Sequence, residues 1–457
     1  MSNKATSTLN IKTGIISTGD GATGIKIAGS SIEVEAPKDG VQKTTATVTT
    51  TLGKTEGTGV EVTGKANNTI NIALQDTQTP TSKTPISIAK GIDVTSNGDK
   101  GIINIDVNQS NLQVAKSGNL VNIGDVAGTT NVDINQNVEL ADSGNIVKAG
   151  AITGTLNINL NVGDRNTTSK SLNVTEGNTA LNLANVGDGT TFVKNTGNVT
   201  IEGTGKLING HDTNAISLTN QGLIDLKVVD KDNGEKGNSV ISSGEKVNVA
   251  NYGTITLNIG LDEFLGVAKV KSLDELTTDN VKEALKSLGV INTGAEGTFS
   301  SVGYIRFKNG ELFTTAKALT GEQTVEGLSS TLNQEDSDRA FAIAKNGNFT
   351  LNSAGENEKL ENVQFSLDGT MNISGTEKTP VNIDNSNVEH QVYITGNGKL
   401  AVADGATLNY SGNISAENNG DADDGKAAIV NTGTLTLENG ALNMVVQKAE
   451  VETLSAP

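Results

Sequence analysis

Short runs in which apolar and polar residues alternate recur along most of the chain, and many of them end in a corner that contains glycine. The clearest example is residues 247–257 (VNVANYGTITL), where an Asn-x-Gly corner joins two such runs. Alternation places the apolar residues on one face of a strand, and glycine permits the sharp turn. One copy cannot bury its apolar face alone, whereas stacked copies can, so the repetition predicts a solenoid.

The unit returns in several places, with corner glycines about 22 to 35 residues apart, a spacing that fits one coil of three short strands. Comparable units cover residues 192–201, 216–226, 343–351 and 429–437. No proline occurs from 86 to 379, as continuous strand pairing requires. We therefore predict an all-β protein, a right-handed parallel β-helix. At ~24 residues per coil and ~4.8 Å between strands, it would form a rod on the order of 85 Å long.

One segment interrupts this rhythm with helical spacing. Leu261, Phe264, Leu265 and Ala268 lie at the i, i+3, i+4 and i+7 positions of a helix face. Ser272 with Glu275 forms a capping-box pattern, and Gly289 ends a second helical run. We predict β-helix coils over 1–260, a helical insertion on a corner of the coil over 261–293, and further coils with charged corner loops over 294–457.

Composition suits a thin, extended core rather than a compact one. Apolar residues make up 35% of the chain and aromatics 3%, without tryptophan, so Ile, Val, Leu and Ala must fill the interior. The net charge of −18 argues against binding nucleic acid through charge. There are no cysteines, so neither disulfides nor thiolate chemistry are expected. No apolar run is long enough to span a membrane, and we predict no direct membrane insertion of this segment.

Motifs that resemble cofactor or metal sites are better explained as corner loops. Residues 19–24 (GDGATG) match a dinucleotide fingerprint, but a strand pattern follows where the fingerprint needs a helix. The acidic stretches 230–234 and 421–425 lack the glycine and glutamate positions of a calcium loop. His211 and His390 are the only histidines and lie far apart. We therefore predict no cofactor, no metal site and no catalytic residue.

The repeated Asn-x-Gly-Thr-[Ile/Leu]-Thr-Leu unit, the absence of cysteine and the acidic, Thr/Asn/Gly-rich composition resemble the passenger regions of autotransporter adhesins. These are Gram-negative surface proteins exported by the type V route, and the outer-membrane adhesins of oral anaerobes are the most similar in style. The resemblance implies attachment to host cells through glycans or immunoglobulin-like receptors, of which the carcinoembryonic-antigen-related (CEACAM) class is one. It also implies an extracellular location on the bacterial surface, as a monomer or a homotrimer.

The function predicted is thus a non-enzymatic adhesin that binds a host receptor, with the insertion as the contact. A polysaccharide-active β-helix enzyme and a passive spacer are the alternatives. Insertions on rigid scaffolds commonly carry binding, and a few large side chains concentrate interface energy. The residues predicted to contact the receptor are Asp262, Glu263, Phe264, Leu265, Lys269, Lys271, Asp274, Lys282 and Lys286.

Overall fold

The computed structural model gives the protein's fold over most of the chain. Strands predominate, at 61% of the described residues, and helices are few. Apart from one hairpin, the paired strands run parallel. The all-β prediction is therefore confirmed. The described residues are 7–28, 44–64, 68–76, 85–162, 171–183, 189–210, 215–229, 239–242, 246–326, 339–353, 355, 358–386, 390–395, 398–418, 428–438 and 442–446.

The first part of the chain forms strands β1 to β24, interrupted near its end by the helical elements. These strands are β1 Ser7–Thr18, β2 Thr23–Ala28, β3 Thr44–Thr63, β4 Asn68–Leu74, β5 Ile86–Asn97, β6 Ile102–Val107, β7 Leu112–Val126, β8 Thr129–Ile134, β9 Val138–Leu140, β10 Asn145–Ala149, β11 Thr155–Leu160, β12 Leu172–Val174, β13 Thr179–Asn182, β14 Thr190–Asn195, β15 Asn198–Ile201, β16 Lys206–Asn209, β17 Ala215–Asn220, β18 Leu223–Leu226, β19 Ser239–Ile241, β20 Lys246–Asn251, β21 Thr254–Leu257, β22 Phe299–Ser301, β23 Tyr304–Phe307 and β24 Leu312–Phe313.

The helical elements lie between β21 and β22, and a second group of strands follows β24. The helical elements are α1 Leu261–Ala268, the 3-10 turn Leu273–Glu275 and α2 Thr278–Ser287. The later strands are β25 Lys317–Leu319, β26 Glu322–Glu326, β27 Arg339–Ile343, β28 Asn348–Asn352, β29 Lys359–Glu361, β30 Val363–Leu367, β31 Thr370–Ile373, β32 Val381–Asp384, β33 Gln391–Ile394, β34 Lys399–Val402, β35 Thr407–Ser411, β36 Asn413–Asn418, β37 Ile429–Asn431, β38 Thr434–Glu438 and β39 Leu442–Val446.

We call β1 to β24 the first stack, because its strands lie on one another in parallel ladders. One ladder, the front ladder, begins with the first halves of β1 and β3 and continues through β4, β6, β8, β11, β14, β17, β20 and β22. A second ladder contains β12, β15, β18, β21 and β23. A third contains the end of β7 and then β10, β13, β16 and β19. From β11 to β19 the chain contributes one strand to the front ladder, one to the second and one to the third, and then repeats this order.

The parallel register places the apolar side chains of successive strands next to one another. Val132 of β8 lies opposite Ile158 of β11, and Ile158 lies opposite Val193 of β14. All three are at most 1% exposed. Alternate positions point outward and carry Asn, Asp and Thr. The thin aliphatic core expected from the composition is therefore observed, with each rung buried by its two neighbours.

The Asn-x-Gly corners are held by a buried ladder of side-chain amides. Asn195 Nδ2 donates to Asn220 Oδ1 over 2.8 Å, and Asn220 Nδ2 donates to Asn251 Oδ1 over 2.7 Å. Asn251 Nδ2 donates to Ser301 Oγ over 2.8 Å. Each asparagine also donates to a backbone carbonyl on the next rung. Because buried polar groups are costly unless paired, this ladder specifies how the corners stack.

The first stack ends in an antiparallel hairpin rather than in another parallel strand. β23 pairs with β24 in antiparallel fashion, with Ile305 opposite Phe313. Gly310 has φ 92°, in the region that favours glycine, and forms the turn. Residues 303–314 therefore form two strands joined by a turn, and the turn at Gly310 reverses the direction of the chain.

Strands β25 to β39 form a second stack with its own apolar core. Its three sheets contain β25, β27, β30, β33, β36 and β39; β26, β28, β31, β34 and β37; and β29, β32, β35 and β38. From β27 onward, consecutive strands again belong to the first, second and third of these sheets in turn. Buried residues from Leu319 to Ala416 form a cluster separate from the one that ends at Phe313.

The second stack folds back along the corners of the first. The Tyr304 hydroxyl donates to the Ser366 carbonyl over 3.1 Å, near the end of the first stack. One rung earlier, Gln364 Nε2 donates to the Tyr252 carbonyl over 3.0 Å. One rung earlier still, Gln391 Nε2 donates to the Gln221 carbonyl over 2.8 Å. Earlier rungs of the first stack therefore contact later strands of the second stack. The two stacks run side by side in opposite directions.

We call this contact the seam. It shortens the molecule relative to one continuous rod. The front ladder contains ten strands, so the first stack is roughly 43 Å long at ~4.8 Å per step. The predicted rod of about 85 Å assumed that all strands of the chain stack along one axis. They do not, because the chain reverses its direction at the Gly310 hairpin.

Candidate recognition surface

The helical insertion begins directly after the second ladder and consists of two helices joined by a 3-10 turn. Helix α1 starts after Gly260 and ends at Ala268, and the capping residue Lys269 has φ 59° and ψ 37°. Helix α2 ends before Gly289, which has φ 67°. The helices predicted from the spacing of apolar residues are therefore observed, and Gly289 ends the second as predicted.

The capping box lies five residues later than predicted. The Ser272 side chain makes no capping hydrogen bond, and Glu275 Oε2 instead accepts from the Lys271 backbone N–H over 2.8 Å. The cap is formed by Thr277, whose Oγ1 accepts from Asn280 N over 3.2 Å while Asn280 Oδ1 accepts from Thr277 N over 3.2 Å. The prediction for Ser272 and Glu275 is wrong because that segment forms only a short 3-10 turn.

One face of the insertion is fixed in the core of the first stack. The Phe264 ring lies against the Phe307 ring, with centroids 4.9 Å apart. Val281 and Leu285 of α2 are fully buried. The Val290 carbonyl accepts hydrogen bonds from the backbone N–H groups of β19 at 2.8 and 3.2 Å. The insertion is thus attached to the first stack by side-chain packing and by backbone hydrogen bonds.

This packing changes the part of the prediction that concerned large side chains. Phe264 is 0% exposed and Leu265 is 6% exposed. The prediction that Phe264 and Leu265 anchor a partner is therefore wrong, because both side chains are buried. Their helical spacing faces them inward, where they join the apolar core of the first stack. They support the position of the other predicted residues instead.

The remaining predicted residues lie on the outside of the insertion. The exposed ones are Asp262, Glu263, Lys269, Lys271, Asp274 and Lys286. Lys282 is half-buried, and its Nζ donates to the Gly297 carbonyl over 2.7 Å, which secures the end of the insertion. Asp262 and Glu263 occupy the first turn of α1, where the helix dipole favours negative charge. The receptor contact of these residues remains a prediction.

The outward positions of the front ladder form a second polar surface, which the sequence analysis did not single out. Asn104 Nδ2 donates to Asn71 Oδ1, and Asn131 Nδ2 donates to Asn104 Oδ1, each over 2.7 Å. Beside them, burial raises the pKa of Asp106, and the neighbouring carboxylate of Asp133 adds to the shift, against hydrogen bonds from two asparagines. The amide bonds repeat from rung to rung because the parallel register places equivalent outward positions next to one another.

An exposed ion pair on the second stack shows the opposite electrostatic effect. Lys359 Nζ lies 2.7 Å from Asp384 Oδ2 and 3.0 Å from Glu361 Oε1. Its hydrogen bond, together with those from Ser386, lowers the pKa of Asp384 to about 2. The Lys359 and Asp384 side chains are both in contact with solvent, so their ion pair contributes little to stability.

The cofactor-like and metal-like motifs do not assemble a site in the described part of the chain. Ala22 N donates to the Gly19 carbonyl over 3.2 Å, Gly21 has φ 68°, and β2 starts at Thr23. Residues 19–24 are therefore a corner turn followed by a strand. The stretches 230–234 and 421–425 lie outside the described residues. No group of three or more metal-binding side chains occurs among the residues described.

The two histidines differ in what the structure describes. His211 lies outside the described residues. His390 is 8% exposed and lies in the seam, where its ring is 5.4 Å from that of Tyr252 at an interplanar angle of 61°. The only histidine whose position is described therefore contributes to packing between the stacks.

No helix in the described part of the chain is long and apolar enough to cross a membrane. Comparison of the chain with protein-family models, with curated protein sequences and with solved structures found no match. Function must therefore be argued from the geometry above.

Proposed function

We propose that the chain is the receptor-binding region of a bacterial surface adhesin, similar to autotransporter passengers. Its fold would be a right-handed parallel β-helix bent into two stacks. The constant order of the three ladders supports a coil, and parallel crossovers are right-handed in nearly all proteins. The coil's role is to hold the insertion outward from the bacterial surface as a rigid platform.

The observation that carries this proposal is the division of the insertion into a buried and an exposed side. Phe264, Val281 and Leu285 lie in the core, whereas Lys269, Lys271 and Lys286 are exposed. A fixed surface loses little conformational entropy when a partner binds. Exposed charges of both signs select partners of complementary potential. An immunoglobulin-like host receptor, such as one of the CEACAM class, is the partner we favour, with a surface glycan as the alternative.

Charge reversal tests the contact without disturbing the fold. The test variant combines Lys269→Glu, Lys271→Glu and Lys286→Glu in the purified chain. Because charges around an interface mainly set the association rate, we expect the association rate constant to fall about tenfold or more. Binding is measured on host cells and on immobilised host receptor ectodomains, at two salt concentrations, since the effect should weaken as salt increases.

A matched control carries the same number of charge changes elsewhere. It combines Lys116→Glu, Lys148→Glu and Lys345→Glu, all at exposed positions outside the insertion. Equal loss in both variants would indicate an effect of net charge alone and would contradict the proposed contact. Binding that both variants retain would move the receptor site elsewhere. If the wild-type chain binds no host cell, the spacer or enzyme alternative becomes the better account.

Deletion of the whole insertion is a poorer test than substitution of its exposed residues. The deletion would remove Phe264 from Phe307 and expose the end of the first stack. Loss of binding would then report unfolding as readily as loss of contact. Phe264→Ala provides the corresponding fold control, because it should lower stability by about 3–5 kcal/mol while leaving the charged residues present.

A further inference from the structure

We propose that the outward face of the front ladder binds a neutral oligosaccharide at Phe192. The chain has eight Phe, four Tyr and no Trp, and all twelve aromatics lie in the described residues. Phe192 is 47% exposed, Tyr252 is half-buried and the other ten are buried. The single outward-facing aromatic therefore lies on a polar sheet face and not in either core.

Phe192 interrupts the ladder of asparagine amides described above. The ladder runs through Asn71, Asn104, Asn131 and Asn157, and its last step is the bond from Asn157 Nδ2 to Asn131 Oδ1 over 2.7 Å. The next residue in register is Phe192, which lies opposite Asn157. A phenyl ring has no N–H to donate, so the chain of amide bonds stops there.

The interruption leaves hydrogen-bonding groups available on both sides of the ring. Asn157 Oδ1 accepts no hydrogen bond from any residue that the structure describes, and Asn157 is only half-buried. On the other side, Ser217 is paired in register with Phe192, and its hydroxyl bonds to no described residue. An exposed ring is thus bordered by an acceptor and by a group that both donates and accepts.

This arrangement fits a carbohydrate better than a protein surface. A sugar ring presents a patch of C–H groups that packs on an aromatic face, with hydroxyl groups around its edge that need donors and acceptors. A protein interface instead relies on a cluster of several large anchors, whereas the ladder neighbours of Phe192 are Asn157 and Ser217 and its outward strand neighbours are Thr190 and Lys194. Three of these four neighbours are uncharged donors or acceptors, which favours a neutral ligand, and the sialylated oligosaccharides in the test below show whether Lys194 favours an anionic one. Lys194, at the next outward position of β14, borders the site.

The site is separate from the helical insertion and does not depend on the receptor contact proposed there. The two proposals are distinguishable because each has its own variant. Charge reversal at Lys269, Lys271 and Lys286 should leave oligosaccharide binding unchanged, and changes at Phe192 should leave the charge-dependent contact unchanged.

Two substitutions of Phe192 test the proposal in the full chain. Phe192→Asn places an amide where the register continues the asparagine ladder, so it should fold at least as well as the wild type. Phe192→Trp introduces the only tryptophan, whose emission then reports directly on the site. The probes are a panel of neutral oligosaccharides of hexose and N-acetylhexosamine units, with sialylated counterparts for comparison.

We expect at least one neutral oligosaccharide to bind the wild type and to shift the emission of the Phe192→Trp variant saturably. Phe192→Asn should weaken that binding tenfold or more, because burial of the ring face is lost. Unchanged binding by Phe192→Asn, or no binding by any neutral oligosaccharide, would overturn the proposal. So would a Phe192-dependent partner that is a protein and is still bound after enzymatic deglycosylation.

Discussion

The rings of Tyr252 and His390 pack edge to face across the seam, with centroids 5.4 Å apart. Tyr252 occupies the x position of an Asn-x-Gly corner in the first stack, and His390 immediately precedes β33 in the second. The variable residue of the corner is therefore a contact residue between stacks. This relation explains why the corner asparagine and glycine recur while the residue between them changes.

The buried amide ladder should make a large contribution to stability. Asn251 is 1% exposed, accepts a hydrogen bond from Asn220 and donates to Ser301 Oγ and to the Tyr304 carbonyl. Asn251→Ala leaves those buried partners unpaired, so we expect the free energy of unfolding to fall by about 1–3 kcal/mol. The shift of the urea midpoint measures this loss.

The outer amide ladder provides a matched control for that prediction. Asn104 also donates to and accepts from asparagines of neighbouring rungs, but it lies at a solvent-facing position. Because water replaces the lost partners, Asn104→Ala should cost less than about 1 kcal/mol. Equal costs at Asn104 and Asn251 would contradict the role assigned to burial.

The corner glycines should tolerate no side chain where the corners stack. A Cβ on Gly222 would lie 2.0 Å from the Gly197 carbonyl oxygen, so Gly222→Ala must force two corners apart. We expect a loss of about 2 kcal/mol or more, measured by thermal unfolding. Gly266, inside α1, has open space around its Cβ position, and Gly266→Ala should stabilise by about 0.5–1 kcal/mol. A stable Gly222→Ala variant would show that the corners do not stack this closely.

Alkaline pH should weaken the contact between the stacks. Burial raises the pKa of the Tyr304 hydroxyl, and the nearby carboxylate of Asp368 adds to the shift. An unfolded tyrosine ionises near pH 10, whereas folded Tyr304 keeps its proton, so the stabilisation is complete below about pH 10 and is lost as pH rises further. Each such group should lower stability by about 1.4 kcal/mol per pH unit above that point. Burial raises the pKa of Tyr410 in the same direction.

Tyr304→Phe separates this effect from general alkaline damage. The variant loses the hydrogen bond to the Ser366 carbonyl and should be about 0.5–1.5 kcal/mol less stable at pH 8. Above pH 10 its stability should decline less steeply than that of the wild type, because one ionising group is gone. Urea unfolding at a series of pH values measures both. Identical slopes would show that Tyr304 ionises equally in both states.

Local pattern was sufficient to predict the elements. Alternation places Val132 and Ile158 inward in register, and the Asn-x-Gly motif marks corners because a short amide and a missing side chain are both needed there. The helices at 261–268 and 278–287 follow from their apolar spacing. These features depend on neighbours in sequence or on the adjacent rung, so the sequence contains the information directly.

Relations between distant segments were not predictable in the same way. Helical spacing identifies Phe264 as a residue of an apolar face but not whether that face meets a partner or the core. The reversal at Gly310 resembles an ordinary corner in sequence, and its consequence appears only when the second stack has folded. The exposure of Phe192 was not predicted, because the pattern of an alternating strand does not decide which of its two faces points toward the core.

A double-mutant cycle on Tyr252 and His390 tests the side-by-side arrangement of the two stacks most directly. The free energy of unfolding is measured for the wild type, Tyr252→Ala, His390→Ala and the double variant. If the rings are in contact as described, the two losses should be non-additive by about 0.5–1.5 kcal/mol. Additivity within about 0.3 kcal/mol would place the rings apart and would contradict the fold-back of the second stack on the first.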